Sequence, residues 1–489
     1  MLSLKQKTVS GLSWSFIDQM GNLGISFIVG IVLARLLSPR EFGLIGMITV
    51  FIALSESFIN SGFSDALIRK KNCTNTDYST VFYFNLVVGV LFAAILYVSA
   101  PAIAVFFNEN ELIPIVRVMG IILIIDSLTI IQRTILTKRI DFKLQARISI
   151  IASIGSGVIA IVMAFNNYGV WSLVAQRISR QALNSFFLWL WNNWRPKFIF
   201  SWKSFKELFG FGNKLLISGL ISTLYENIYF LIIGKFFSTE TLGYYTKAND
   251  FKRVPSEGLN GIISRVSYPV LSTLQDDKSR LKQNFKRLIR STVFITFILM
   301  LGMAAVAEPM IITLIGEKWR QSIVFLQLLC FVGMMYPLHA LNLNMLKVLG
   351  RSDLFLKLEI IKKVLAIPVI IIGIYLGIEA LIIGMIINSQ ISYFINSYWS
   401  GKLIDYHTKD QIKDITPAFL LSLSMSIAVF LLGLIIPFGL IWNLIIQICF
   451  GAIYIFIIGE LFKVKDYLYI KLIVVEQLQT IKSELKKRK

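Results

Sequence analysis

Fourteen stretches of mainly apolar residues, bounded by charge or by Gly, Pro and Asn turns, run the length of this 489-residue chain. They lie near 12–34, 42–63, 80–107, 113–132, 148–165, 170–192, 214–236, 242–262, 291–315, 321–346, 364–376, 380–400, 415–436 and 440–462. About 20 such residues make a helix long enough to cross the ~30 Å hydrocarbon core of a bilayer. The eighth, "LGYYTKANDFKRVPSEGLNGII", fails on hydropathy alone, and the eleventh should begin before its apolar part. With 56% hydrophobic and 16% charged residues and a mean hydropathy of +0.70, a soluble globular domain is excluded. The expected fold class is all-α: a polytopic membrane protein of about 14 transmembrane helices.

Charge fixes an orientation. Lys and Arg exceed Asp and Glu by 49 to 28, an excess that in a soluble protein would suggest nucleic acid. Here its distribution points to the positive-inside bias instead, so no nucleic-acid partner is expected. With the N-terminus inside, only Arg35, Arg40, Lys235, Lys318 and Arg320 fall in outer loops. Arg117, Arg177, Arg180, Lys214, Lys247, Lys252 and Arg253 lie within spans, and all the others fall in inner loops. Both termini are therefore expected in the cytoplasm, with an even number of spans. The start "MLSLKQKTVSGLSWSF" reads as a retained first helix without a signal peptide, and the tail "KSELKKRK" as a basic cytoplasmic end. Cys73, Cys330 and Cys449 are widely spaced and form neither a disulfide framework nor a zinc pattern.

The chain pairs with itself. At an offset of 200, "IVLARLLSPREFGL" (31–44) meets "LIIGKFFSTETLGY" (231–244), so that Ser38 falls on Ser238, Gly43 on Gly243 and Arg35 on Lys235. The register also brings Asn60 onto Asn260 and Ser64 onto Ser264; at an offset of 208, "YGVWSLV" meets "LGIEALI" and Trp191 meets Trp399. Two copies that both begin inside and hold an even number of spans form a parallel repeat, related by a pseudo-twofold along the membrane normal. The expected organisation is a six-helix bundle over 1–205, its repeat over 206–405, and two additional helices with a basic tail over 406–489.

Polar residues form stripes on these apolar helices. Ser15, Asp18, Asn22 and Ser26 share one face of the first span, and Lys214, Ser218, Ser222 and Glu226 one face of the seventh. In the sixth, "VAQRISRQALN" sets Arg177, Arg180, Gln181 and Asn184 on one face. Arginine near the bilayer centre costs from ~2.5 kcal/mol upward, so this row should face protein or water rather than lipid. The eighth span adds Lys247, Asp250, Lys252, Arg253 and Glu257, with Pro255 expected to kink it. Glu56 and Asn60 lie in the second span, Asp126, Thr129 and Arg133 in the fourth, and His339 in the tenth.

Two readings stand side by side. These groups pair with one another and glue helices together, with Arg117 and Arg177 snorkelling to the outer interface; or they line a cavity between the halves. A net-basic cavity suits an anionic substrate, since Arg offers bidentate donors to phosphate or carboxylate. The candidate head-group ligands are then Arg177, Arg180, Lys214, Lys252 and Arg253. Asp18, Asn22, Glu56, Asp126, Glu226, Asp250 and His339 are the candidates for cavity polarity and for proton or sodium coupling. No cofactor and no metal are expected. The chain lacks a G-x-x-x-x-G-K-[ST] loop, "LIIGKFFS" continuing with Phe, and its short outer loops carry no catalytic set.

The stretch "ARLLSPREFGL", followed by "GFSDALIRK", resembles the opening of the bacterial polysaccharide exporters, a family of oligosaccharide flippases. They belong to the superfamily of multidrug and toxin extruders and lipid II flippases, and the likeness is greatest to the colanic-acid and teichuronic-acid exporter branch. The resemblance implies two bundles facing each other across a cavity, alternating access, and oligosaccharide units carried on polyprenyl diphosphate. It implies membrane lipid and, as partners, a polysaccharide polymerase and glycosyltransferases, at the bacterial cytoplasmic (inner) membrane. Lipid II flippases carry arginines in the first span where this chain has Asp18, so their diphosphate ligands do not transfer. An ion-coupled multidrug-type exporter would favour a carboxylate-dominated cavity, and a non-transporting scaffold for glycan synthesis a sealed interface.

The row in the sixth span is one-sided. Across the offset of 208, Arg180 meets Asn388 and Arg177 meets Met385. A role common to both copies would not require that difference.

Overall fold

The computed structural model describes residues 4–60, 62–472 and 475–476; the basic tail 482–489 lies outside them. The described residues are helical with short connections and fall into two compact units, Met1–Lys247 and Ala248–Lys489. The first unit contains α1 (Leu4–Leu36), α2 (Pro39–Asn60), α3 (Phe63–Arg69), α4 (Asn75–Phe107), α5 (Leu112–Met119), α6 (Ile121–Lys138), α7 (Phe142–Phe165), α8 (Val170–Trp191) and α9 (Trp202–Phe236). The division falls inside α10 (Thr239–Ser272). The second unit continues with α11 (Lys278–Ala305), α12 (Ala307–Ile315), α13 (Gln321–Gly333), α14 (Tyr336–Val348), α15 (Ser352–Leu376), α16 (Ile378–Ile404), α17 (Thr408–Ile435) and α18 (Leu440–Leu461).

Eleven of the described helical stretches are long and apolar enough to cross a membrane. The chain is a multi-pass membrane protein. Three further expected spans appear as helices of sufficient length that are less apolar or carry more charge. These are α8, which carries the arginine row; α10, which runs unbroken through Pro255; and α15, which starts at Ser352, before its apolar part, as expected. At ~1.5 Å per residue the 33-residue α4 is about 50 Å long, so it extends beyond the hydrocarbon layer. Side chains end these helices where the chain leaves the apolar run. Thr74 and Asp77 form a reciprocal capping box at the start of α4, and Asp141, Ser201 and Asp277 accept from the first turns of α7, α9 and α11.

Within the first unit, α7 packs between α1 and α8. A Cβ on Gly157 would lie 2.6 Å from Val29 of α1, and one on Gly155 2.8 Å from Leu183 of α8. Small residues thus let both neighbours approach closely, which is how helices associate where lipid offers no hydrophobic drive. α9 packs along α2, α3 and α4, and α6 packs on α4 and α8. Aromatic rings fill the end near the connection from α8 to α9. Phe63, Phe82, Trp194 and Leu208 are buried there, with Phe205 and Phe209 against them.

In the second unit α11 lies along α17, α15 along α16, and α18 against α12 and α17. The last two helices clamp each other with amides. Asn443 donates to the Gly433 carbonyl at 3.1 Å and Gln447 to that of Val429 at 3.0 Å.

Two local geometries recur at positions related by the two sequence offsets. Gly169 and Gly377, related by the offset of 208, both turn the chain with positive φ (+54° and +104°) just before α8 and α16. At the starts of α2 and α10, a Cβ on Gly43 would fall 1.9 Å from the Thr239 carbonyl oxygen. One on Gly243 would fall 1.9 Å from that of Pro39. The offset of 200 exchanges these two contacts, so the crossing is self-complementary in the manner of a twofold interface.

Candidate functional site

The arginine face of α8 meets three helices of the first unit. Arg180 donates through Nη2 to Asn22 Oδ1 at 3.2 Å and through Nη1 to Ser26 Oγ at 3.3 Å, both on α1. Arg177 donates to Thr49 Oγ1 of α2 at 3.3 Å. Gln181 donates to Asp126 of α6 and, at 3.4 Å, to Thr129 Oγ1. The row is therefore turned into protein, as the cost of arginine in lipid requires.

Beneath Arg180 the stripe of α1 is tied to α7. Asn22 Nδ2 donates to Asp18 Oδ1 at 2.6 Å and lies 2.8 Å from Ser149 Oγ; Ser149 donates to Asp18, and Ser153 donates to Asn22 Oδ1. One amide thus links a carboxylate, two hydroxyls and a guanidinium. Asp18, Asn22 and Ser26 are half-buried, whereas Arg180 is exposed. Arg180 thus presents an exposed guanidinium anchored on two side-chain oxygens of α1.

A second charged group lies on the α2–α6 side. Glu56 is within electrostatic range of Asp126, Arg177 and Arg133, while Thr129 donates to the Asp126 carbonyl at 2.7 Å. Two carboxylates and two guanidiniums near one another in a low-dielectric bundle are strongly interacting charges.

The remaining candidates lie elsewhere. Glu226 is exposed on α9 of the first unit, and the helical position of Lys214 is described but its side chain lies outside the described residues, as does that of Glu257. Lys247 is buried in the first unit with its ammonium 3.9 Å from the centre of the Phe42 ring and 3.5 Å from the Gly30 carbonyl. In the second unit Asp250 is half-buried and Arg253 exposed. The stem of Lys252 packs where Gly333 leaves room, a Cβ there falling 3.1 Å from Lys252 Cγ. His339 is bracketed by α16, with Nε2 2.9 Å from Ser389 Oγ and Nδ1 3.3 Å from Asn396 Nδ2. Arg117 holds its guanidinium 4.6 Å over the Tyr97 ring.

Sequence reading passed over Ser149, Ser153 and Thr49. The first two had a legible signal, the i, i+4 hydroxyl pair in the apolar "ISIIASIGSG" of α7. Thr49 is a lone hydroxyl with no such pattern. Among the described residues no group of three or more His, Cys, Asp or Glu is placed to hold a metal ion.

Residues 32–324 match the family described as polysaccharide biosynthesis protein. The chain belongs to that family. Among its relatives, the teichuronic acid biosynthesis protein TuaB of Bacillus subtilis (strain 168) is 27% identical over 356 residues, covering 72% of this chain and 74% of its own length. The lipopolysaccharide biosynthesis protein WzxC of Escherichia coli (strain K12) is 28% identical over 408 residues, 81% and 82% of the two chains. In fold the chain is similar to the lipid II flippase MurJ in an inward closed conformation (TM-score 0.76, 16% identity, 95% of this chain and 100% of that one). It is also similar to an inward-facing multidrug resistance transporter of the MATE family (TM-score 0.63, 16% identity, 80% and 96%). The chain therefore shares its fold with these two transporters.

Proposed function

We propose that the chain is a flippase that moves polyprenyl-diphosphate-linked oligosaccharide units across the bacterial cytoplasmic membrane for surface polysaccharide synthesis, by alternating access. The observation that carries this reading is the exposed guanidinium of Arg180, set by Asn22 and Ser26. It supplies planar donors suited to a diphosphate, in a family whose members serve polysaccharide biosynthesis. Arg177, Lys214, Lys252 and Arg253 are the further head-group candidates. Asp18, Glu56, Asp126, Glu226 and Asp250 are candidates for coupling the cycle to protons or sodium.

In this reading the bundles are 1–205 and 206–405, residues 406–489 are an addition, and both termini are cytoplasmic. The protein performs no chemistry on the glycan; glycosyltransferases supply the lipid-linked unit and a polymerase consumes it outside. Deletion of the gene should remove the surface polymer and accumulate lipid-linked intermediate in the inner leaflet. Wild-type chain restores the polymer. Unchanged polymer and no accumulated intermediate after deletion reject the proposal.

A further inference from the structure

A cleft opens at the end of the first unit where α2 and α8 begin, and the site around Arg180 does not use it. Its volume is about 450 Å³, within the ~300–1,000 Å³ of ordinary small-ligand sites. Two aromatic side chains line it: Trp171 in the first turn of α8, half-buried, and Tyr168 in the turn before it, 56% exposed. At ~100° per residue Trp171 and Arg180 lie on opposite faces of α8, about 14 Å apart along its axis. The cleft is therefore separate from the head-group candidates.

The polar groups of the lining are held by one another. Arg40 donates to Glu111 at 2.6 Å, and to Glu109 at the same distance. Glu41 Oε2 accepts from the Ser38 amide at 2.5 Å and from its hydroxyl at 2.9 Å, while Oε1 faces Gly169. A Cβ on Gly169 would fall 2.6 Å from that oxygen, so the bare backbone there is what admits the carboxylate. Asn167, exposed and in the left-handed region at φ 61°, adds a carboxamide to the rim.

We infer that this cleft binds a neutral sugar ring. A pyranose presents C–H faces that pack on aromatic rings and a rim of hydroxyls that both donate and accept. Trp171 and Tyr168 match the faces, the oxygens of Glu41 and Glu111 accept, and Arg40 and Asn167 donate. An anion would meet two carboxylates against one guanidinium, and an ammonium would meet Arg40. Because the lining is already ordered, little freedom is lost on binding. That the ligand is a sugar rests on the lining; that it belongs to the exported glycan rests on the flippase reading, in which this end faces outward. The ring then comes either from the lipid-linked unit just delivered or from the finished glycan, with the same chemistry.

Saturation-transfer difference NMR on the full-length chain, in a detergent without sugar head groups, tests the cleft without transport. The probes are methyl glucopyranoside, methyl galactopyranoside and methyl N-acetylglucosaminide, beside methyl glucuronoside and choline. At least one neutral glycoside should receive saturation. Trp171→Ala should weaken its binding about tenfold, Tyr168→Ala by a smaller factor, and Trp171→Phe, which keeps a ring, least. No transfer to any neutral glycoside, transfer undiminished in Trp171→Ala, or tighter binding of the glucuronoside or choline overturns the proposal. If Trp171→Ala does not accumulate in the membrane, Tyr168→Ala decides in the same way. In cells, p-benzoylphenylalanine in place of Tyr168 separates the two sources on illumination. An adduct that loses lipid in mild acid, which cleaves the sugar–diphosphate bond, marks the lipid-linked unit, and one of polymer mass the finished glycan. A chain that captures no glycan overturns the assignment to the exported sugar. The NMR reports the cleft and the deletion phenotype the flippase reading, so the failure of either is seen by itself.

Discussion

α8 and α16 are related by the 208-residue offset, and each contributes a polar face to its own unit, yet the two faces are built differently. That of α8 is charged and open. Arg180 is exposed, Arg177 reaches Thr49, and Gln181 reaches Asp126. That of α16 is neutral and closed. Asn396, Ser397 and Ser400 are fully buried; Ser400 donates to Asn342, Ser397 lies 3.0 Å from Thr408 Oγ1, and Asn342 donates to Gln411 at 3.3 Å. His339 joins this second set through Ser389 and Asn396. Neutral amides and hydroxyls that bond one another across helices fix helix positions, although Asn396 Oδ1 itself is left without a partner. The α8 face instead carries guanidiniums, one of them exposed.

The comparison breaks first at Arg180. Arg180→Ala should abolish surface polymer while the protein remains inserted at wild-type abundance, read by polysaccharide analysis beside membrane immunoblots; Arg180→Lys should restore it only in part, since the bidentate fork is gone. Normal polymer with Arg180→Ala as the sole copy rejects the assignment. Asn342→Leu should do the opposite. It removes the bonds that Asn342 shares with Gln411 and Ser400, leaving Gln411 its bond to the Tyr406 carbonyl and Ser400 its bond to that of Ser397; stability should fall by about 1–3 kcal/mol, visible as a lower melting temperature in detergent, with export per inserted molecule unchanged. Asn388→Ala, at the position matching Arg180, should change export less than twofold; a loss as deep as that of Arg180→Ala would erase the contrast between the faces. The smallest effect belongs to Arg117→Gln, which removes a guanidinium stacked on Tyr97. Its cost should stay within about 0.5 kcal/mol, and export should be normal.

Much of this was legible in the sequence because bilayer thickness and helix periodicity leave little freedom. Apolar run lengths and cationic asymmetry led to helices where α1, α2, α4, α7 and α16–α18 occur. The row Arg177, Arg180, Gln181 followed from a 3.6-residue period, and its inward direction from the cost of arginine in lipid. Periodicity does not reveal which neighbour receives a stripe. The ties from Asn22 to Ser149 and from Gln181 to Asp126 depend on which helices pack together, and hydroxyls on α7 look like ordinary small residues until α1 lies against them. It also does not show helix breaks. The expected spans 113–132, 291–315 and 321–346 are divided at Gly120, Val306 and Met334–Met335. Gly120, Met334 and Met335 keep helical backbone angles and only Val306 leaves that region (φ −96°, ψ 12°), so these breaks are local bends rather than turns that a sequence motif would announce. His339 shows the same limit. A lone histidine in a span looks alike whether it lines a cavity or fastens a neighbouring helix.

The polar seam between α1 and α7 also bears on how the chain enters the membrane. Asn22 and Ser149 are separated by 127 residues, so during synthesis the stripe of Asp18, Asn22 and Ser26 emerges long before the hydroxyls that satisfy it. Until the fifth span is made, the Asn22–Asp18 pair has only its own bonds along α1 and lacks the hydroxyls of Ser149 and Ser153. The residues that steady Arg180 thus reach their full set of partners only when the fifth and sixth spans are both in place.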